Sequence, residues 1–175
     1  MEKSPKNYDV LIIGAGPAGA NAAISYKNLN PNLTVGLVDK AIFPRDKSCG
    51  DAIGPGVISA LKRFNNEHIL DGEPQVVSTT LYGPDNIGIQ NYIPEVKNKE
   101  DSIVYVIPRV DLDNRILDLA KECGVDVYEG YSFVDFTSNL DKSLNVQIKN
   151  ENENLEFLTK ILVGADGANS RIRKK

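Results

Sequence analysis

The sequence predicts an α/β fold built around a parallel sheet, and three observations carry that expectation. An apolar run, Val10–Ile13, opens straight into Gly14-Ala15-Gly16-Pro17-Ala18-Gly19. A second apolar run, 33–38, ends on Asp39, 20 residues after Gly19. A third, Ile161–Ala165, ends on Asp166-Gly167, so the chain returns late to the sheet in which it began. This order is that of a Rossmann-like dinucleotide-binding unit.

Each element follows from its residues. Val10–Ile13 are β-formers without alternation, the pattern of a strand buried on both faces. Gly14 permits the tight turn that follows, Gly16 lets a pyrophosphate approach the backbone, and Gly19 lets the next helix lie close on the sheet. Pro17 has no N–H to lose in a first helical turn. Ala18, Ala20, Ala22 and Ala23 keep the expected helix, 17–28, slim. Its free N–H groups and positive end suit phosphates. Residues 33–38 form the second strand. Asp39 at its end can accept from ribose hydroxyls, or more plainly pair with Lys40 on the surface. Motif, spacing and acid together predict an adenine dinucleotide site.

Residues 41–51 read as a loop, and 55–64 as a helix with Val57, Ile58, Leu61 and Phe64 on one face. A polar connection over 65–75 leads to three short segments, 76–82, 87–93 and 103–107, expected as antiparallel strands outside the parallel sheet. The periodicity of Leu112, Ile116, Leu119, Ala120 and Cys123 predicts a helix over 110–123 that Gly124 stops, with Cys123 in the core. A strand at 125–128 precedes a three-stranded meander over 131–137, 144–149 and 155–160, turning at 139–142 and 150–154. The organisation expected is 1–75, 76–107 and 108–175.

Composition narrows the function. The 175 residues carry 20 basic and 24 acidic side chains, a formal charge of −4, which argues against a nucleic-acid surface. The basic run Arg171, Arg173, Lys174 and Lys175 is expected to be a solvated chain end. Two cysteines make no disulfide framework, and with no charged-then-apolar leader the expectation is a cytoplasmic protein. No apolar stretch approaches the ~20 residues of a membrane span, which leaves peripheral membrane contact open. His68 is the only histidine and has no metal-ligand spacing around it, so no metal is expected.

Three further stretches carry a family resemblance. Phe43-Pro44-Arg45-Asp46-Lys47-Ser48-Cys49-Gly50-Asp51 resembles the loop of the geranylgeranyl reductase family, within the p-hydroxybenzoate-hydroxylase-like flavoproteins. Pro108-Arg109-Val110-Asp111-Leu112-Asp113 resembles that superfamily's proline-arginine helix start. Gly164-Ala165-Asp166-Gly167-Ala168-Asn169-Ser170-Arg171 resembles its Asp-Gly motif. The resemblance implies a Rossmann-like FAD-binding parallel sheet with a three-stranded β-meander and part of a small antiparallel substrate-side sheet.

It also implies site residues. FAD would be held by Gly14, Gly16, Ala18, Gly19 and Asp39 on its adenine side, with Asp166 and Gly167 at the pyrophosphate and toward a nicotinamide donor, NADPH or NADH. Cys49, Gly50 and Ala52 would lie along the flavin, and the Phe133 backbone would border the adenine while its side chain joins the core. Arg109 suits phosphate or ribityl oxygens, or else an ion pair with Asp111 or Asp113. Arg45 meets a phosphate or is a solvated loop charge. No catalytic residue is assigned.

The implied activity is reduction of double bonds in a small-molecule or lipid isoprenoid substrate. The alternatives are an FAD monooxygenase of an aromatic or polyketide-like substrate, and a non-catalytic nucleotide-binding module. The superfamily continues past its Asp-Gly motif, whereas eight residues follow Gly167 here. The expectation is therefore an N-terminal part that alone binds FAD weakly and shows no turnover. No protein partner is inferable.

Overall fold

Four consecutive apolar side chains, Val10 to Ile13, are each at most 4% exposed, the burial on both faces of the sheet that their unalternating run predicts. The computed structural model describes residues 5–92 and 104–175. They divide into two units, Met1–Arg45 with Asp113–Lys175, and Asp46–Leu112.

The first unit holds β1 (Lys6–Ile13), α1 (Pro17–Leu29) and β2 (Val35–Asp39). The second holds β3 (Ala52–Ile53), α2 (Pro55–Lys62), a short 3₁₀ helix (Glu67–Leu70), β4 (Ser78–Tyr82), β5 (Gly88–Tyr92) and β6 (Tyr105–Val106). Helix α3 (Arg109–Glu122) begins in the second unit and leads back into the first. There β7 (Asp126–Glu129), β8 (Ser132–Ser138), β9 (Leu144–Lys149) and β10 (Asn154–Gly164) complete the chain.

One six-stranded sheet runs in the order β7-β2-β1-β10-β9-β8. β1 is parallel to both β2 and β10, and β2 is parallel to β7. The meander β8-β9-β10 continues the same sheet antiparallel. The central strands are thus paired on both edges, so the buried Leu11, Ile12 and Leu37 leave no main-chain group without a ladder. Burying each such side chain contributes about 1.5–3 kcal/mol.

β10 corrects the expectation of two strands, 155–160 and 161–165. It is one strand because its two pairings overlap: Asn154–Thr159 face β9, while Phe157–Gly164 face β1. Lys160, which reads as a strand end, points to solvent and donates to Asp9 Oδ1 at 2.7 Å. Asp9 Oδ2 accepts from the Thr34 amide and hydroxyl, both at 2.9 Å. These bonds, from Lys160 first, hold the Asp9 carboxyl down at about 2 and tie the starts of β1 and β2 to mid-β10.

Tyr8, Leu11, Ile13, Val38, Phe133, Val146, Ile148 and Phe157 form one apolar cluster. In α3, Leu112, Ile116, Leu119 and Ala120 are buried as the periodicity predicts, and so is Leu117. Cys123 is half-buried instead of core, because the helix ends at Glu122 and the chain turns away at Gly124, φ +80°.

In the second unit Ile58 and Leu61 are buried on α2. The expected polar connection contains the 3₁₀ helix, whose Ile69 and Leu70 are buried. The short strands pair as two separate ribbons, β4 with β5 and β3 with β6. Residues 93 and 103 of the expected strands lie outside the described residues. No helix among the described residues is long and apolar enough to cross a membrane.

Candidate functional site: a glycine loop with an arginine at the helix start

The loop between β1 and α1 shows which glycines the fold itself requires. At Gly14, φ +103°, a Cβ would stand 2.3 Å from the Ala165 carbonyl oxygen. At Gly19 it would stand 1.7 Å from the Gly14 carbonyl oxygen. Both glycines let backbone meet backbone, Gly14 against the end of β10 and Gly19 against the loop itself. Gly16 differs. A Cβ there would meet only the Arg45 Nη2, at 3.5 Å, and its φ of −65° suits any residue. The chain's own packing among the described residues gives no reason for glycine at 16.

Main-chain bonds fix the loop. Gly14 donates to the Val38 carbonyl at 2.7 Å and Ala165 to the Ile13 carbonyl at 2.7 Å. Asp39 accepts from the Ala15 amide through Oδ2 at 2.7 Å and from the Ala41 amide through Oδ1 at 2.9 Å. The acid is therefore anchored by backbone, and each carboxylate oxygen keeps a further lone pair for a hydroxyl donor.

Helix α1 starts with Pro17, has no side-chain cap at Gly16 and carries no acid in its first turn. Its free amides and positive dipole end face outward without an internal counter-charge. Arg45 is brought to this point. Its Nη1 lies 3.4 Å from Asp113 Oδ2, and its guanidinium packs 4.8 Å from the centre of the Phe43 ring. The approach to Arg45 is held by the Phe43 amide, which donates to Glu129 Oε1 at 2.8 Å. A cation stacked beside a helix N-terminus is an arrangement for an anion.

The Asp-Gly turn lies beside the same loop, since a Cβ on Gly14 would stand 2.9 Å from the Asp166 amide nitrogen. Asp166 Oδ2 accepts from the Arg171 amide at 2.6 Å, while its Oδ1 is buried without a partner among the described residues. Burial pushes this carboxyl up, but hydrogen bonds from Ser170 and the Arg171 amide outweigh it, so it stays below the usual carboxylate range. Arg171 Nη1 reaches the Phe133 carbonyl at 3.4 Å, and Lys175 pairs with Asp135 at 3.0 Å. The basic chain end expected to be merely solvated is thus tethered to β8. The Phe133 side chain is core, 4% exposed.

In the second unit, Asp51 adopts φ 56° and its Oδ1 accepts from the Arg109 amide at 3.2 Å, holding the start of α3. Cys49 is exposed. Hydrogen bonding from the Asp51 backbone and then the Arg109 side chain holds its thiol below the usual range. A Cβ at Gly50 would meet nothing within 4 Å. Ala52 begins β3 opposite Val106.

The first unit therefore gathers Gly14, Gly16, Ala18, Gly19, Asp39, Arg45, Asp166 and Gly167 around one loop. The second gathers Cys49, Gly50, Ala52 and Arg109. Asp113, one of the two acids expected beside Arg109, pairs with Arg45. Asp113 and Arg171 were missed as site residues. Asp113 had one signal: it falls four residues before Leu117 and seven before Ala120, in phase with a buried stripe.

A sequence profile described as the FAD binding domain matches residues 7–175. The chain belongs to that family. Menaquinone reductase of Mycolicibacterium smegmatis is 30% identical over 164 residues, 94% of this chain and 38% of that one. Geranylgeranyl diphosphate reductase of Rhodobacter capsulatus is 29% identical over 170 residues, 96% of this chain and 39% of that one. The latter bears the name of the family that the sequence motifs resemble. The solved p-nitrophenol 4-monooxygenase of Pseudomonas putida superposes with a TM-score of 0.83 at 14% identity, over 98% of this chain and 44% of that one. That likeness shows the fold alone. The chain spans about two fifths of the length of these relatives.

The site's chemistry fits FAD. The uncapped α1 start and Arg45 suit a diphosphate, Asp39 suits ribose hydroxyls, and the buried Asp166 Oδ1 lacks a hydrogen-bond donor that a polyhydroxyl chain carries.

Proposed function

We propose that this chain holds FAD for an oxidoreductase that reduces carbon–carbon double bonds of an isoprenoid substrate with electrons from NADPH or NADH. The observation that carries the cofactor half is Gly16, a glycine the fold does not need, placed between a free helix start and a guanidinium.

In this reading the first-turn amides of α1, with Ala18 and Gly19, and the Arg45 guanidinium bind the diphosphate. Asp39 orients the adenosine ribose, and the Phe133 main chain borders the adenine. Asp166 and Gly167 receive the far side of the diphosphate and the hydroxyl chain beyond it. Cys49, Gly50, Ala52 and Arg109 border the flavin side. When bound, FAD supplies two-electron transfer from a nicotinamide to a substrate, and the protein supplies position and electrostatics.

Reduction is favoured over hydroxylation by the Cys49-Gly50-Asp51 loop and by two relatives whose names are reductases. The second reading, a monooxygenase, draws on the fold shared with p-nitrophenol 4-monooxygenase. An isoprenoid substrate would also favour peripheral contact with a membrane from a cytoplasmic location.

The full-length protein, supplied with FAD and a geranylgeranyl lipid, is expected to oxidise NADPH or NADH with loss of substrate double bonds and no oxygen uptake. Product mass and an oxygen electrode read the outcome. Oxygen consumed in step with a product 16 mass units heavier, on the order of one added oxygen atom, would establish the monooxygenase reading instead.

A further inference from the structure

Arg45 divides its guanidinium between two tasks. Nη1 lies 3.4 Å from Asp113 Oδ2, while Nη2 is the atom 3.5 Å from where a side chain at Gly16 would begin. The Phe43 ring supports the flat face at 4.8 Å. The Asp113 side chain has no exposure to solvent, whereas Arg45 keeps 20% of its own. A carboxylate wholly out of water is costly unless cations and hydrogen bonds compensate it. One of its partners is Arg45, which keeps part of its side chain open to solvent. A planar fork can hold a carboxylate with one nitrogen and donate outward with the other in a fixed direction; an ammonium, a compact charge on a flexible stem, has no such fixed geometry.

We infer that Asp113 is a positioning residue, which fixes Arg45 so that its Nη2 donates to the diphosphate of an adenine nucleotide at the start of α1. This rests on the dinucleotide reading above and adds how the arginine is held. Asp113 itself touches no nucleotide. It sits on α3, and its effect passes through Arg45.

The sign of the effect separates positioning from simple charge. If Asp113 only neutralised Arg45, removing its charge would tighten binding of an anion. If it positions Arg45, the same change weakens binding, and only for ligands that carry the diphosphate.

The test is calorimetric titration of the purified protein with ADP and with adenosine, for the parent, Asp113→Asn, Arg45→Ala and the double variant. The expected result is about a tenfold loss of ADP affinity in Asp113→Asn, unchanged adenosine affinity, and no added loss from Asp113→Asn once Arg45 is alanine. Unchanged or tighter ADP binding by Asp113→Asn, in a parent that binds ADP more tightly than adenosine, overturns this inference alone. A parent that binds neither ligand overturns the dinucleotide reading and this inference with it. Should Asp113→Asn fail to fold by circular dichroism, Arg45→Lys decides. It keeps the charge but loses the fork, so it must show the same ADP-specific loss, and parent-like ADP binding overturns the inference.

Discussion

Gly19→Ala is expected to leave little folded protein. The added methyl would stand 1.7 Å from the Gly14 carbonyl oxygen and 3.2 Å from the Ala165 Cβ. Neither neighbour can yield cheaply. Gly14 is pinned by the hydrogen bond its amide donates to the Val38 carbonyl, and Ala165 by the one it donates to the Ile13 carbonyl, both at 2.7 Å. Relief would require α1 to move off the loop, uncovering Ala20, Ala23 and Ile24, which have no exposure. Overpacking against flexible side chains costs about 1–3 kcal/mol. Against fixed backbone the cost should exceed about 3 kcal/mol, a large share of the roughly 5–15 kcal/mol by which domains are stable. Denaturant unfolding of soluble material, or its absence from the soluble fraction, checks this. A variant that unfolds at the parent's midpoint would show that α1 does not rest on Gly14 as described.

Gly16→Val should do the opposite, leaving the fold and removing the cofactor. The backbone at 16, φ −65° and ψ 179°, is open to a β-branched residue. The first atom added meets only the end of the flexible Arg45 side chain, at 3.5 Å. Stability should stay within about 1 kcal/mol of the parent. The isopropyl group would occupy the space before the first-turn amides and displace Arg45 Nη2 from its direction. Charge-assisted hydrogen bonds contribute about 1.5–3 kcal/mol each, so losing two weakens FAD binding by at least about 100-fold. Flavin absorbance of the purified variant, beside its circular dichroism, checks both halves. A folded variant as yellow as the parent would remove the diphosphate from this loop.

The contrast between these two glycines shows what could and could not be read from the chain. The motif gave three glycines and a role for each, because its logic is local: a strand, a turn and a helix start lie within a dozen residues. What the motif could not supply is which glycines the chain needs for itself. That depends on Ala165, some 150 residues away in sequence yet in backbone contact with Gly14.

The same limit explains the strand that was read as two. Lys160 interrupts an apolar stretch and looks like an end, but Asp9 meets it from β1, so the strand continues. Likewise β3 and β6 pair through only two residues each, too short for a periodic signal and set by a long-range register. The polar stretch over 65–75 concealed a 3₁₀ turn because only Ile69 and Leu70 are buried in it. Asp113 was hidden for another reason. It stands in an acid-rich helix start with Asp111, and although its phase with the buried stripe marks the inward acid, nothing in the sequence names Arg45 as its partner. Arg45 reads equally as a phosphate ligand or a solvated loop charge, and its place at Gly16 is a tertiary fact.

The first unit is proposed to recognise the adenosine diphosphate portion of FAD. The most direct measurement is equilibrium binding of FAD and of FMN to the purified protein, with ADP as competitor. FMN carries the flavin ring and one phosphate but no adenosine. FAD should bind, ADP should displace it competitively, and FMN should bind at least about 100-fold more weakly, a difference of roughly 2.7 kcal/mol. FMN binding as tightly as FAD, with ADP without effect, would contradict it.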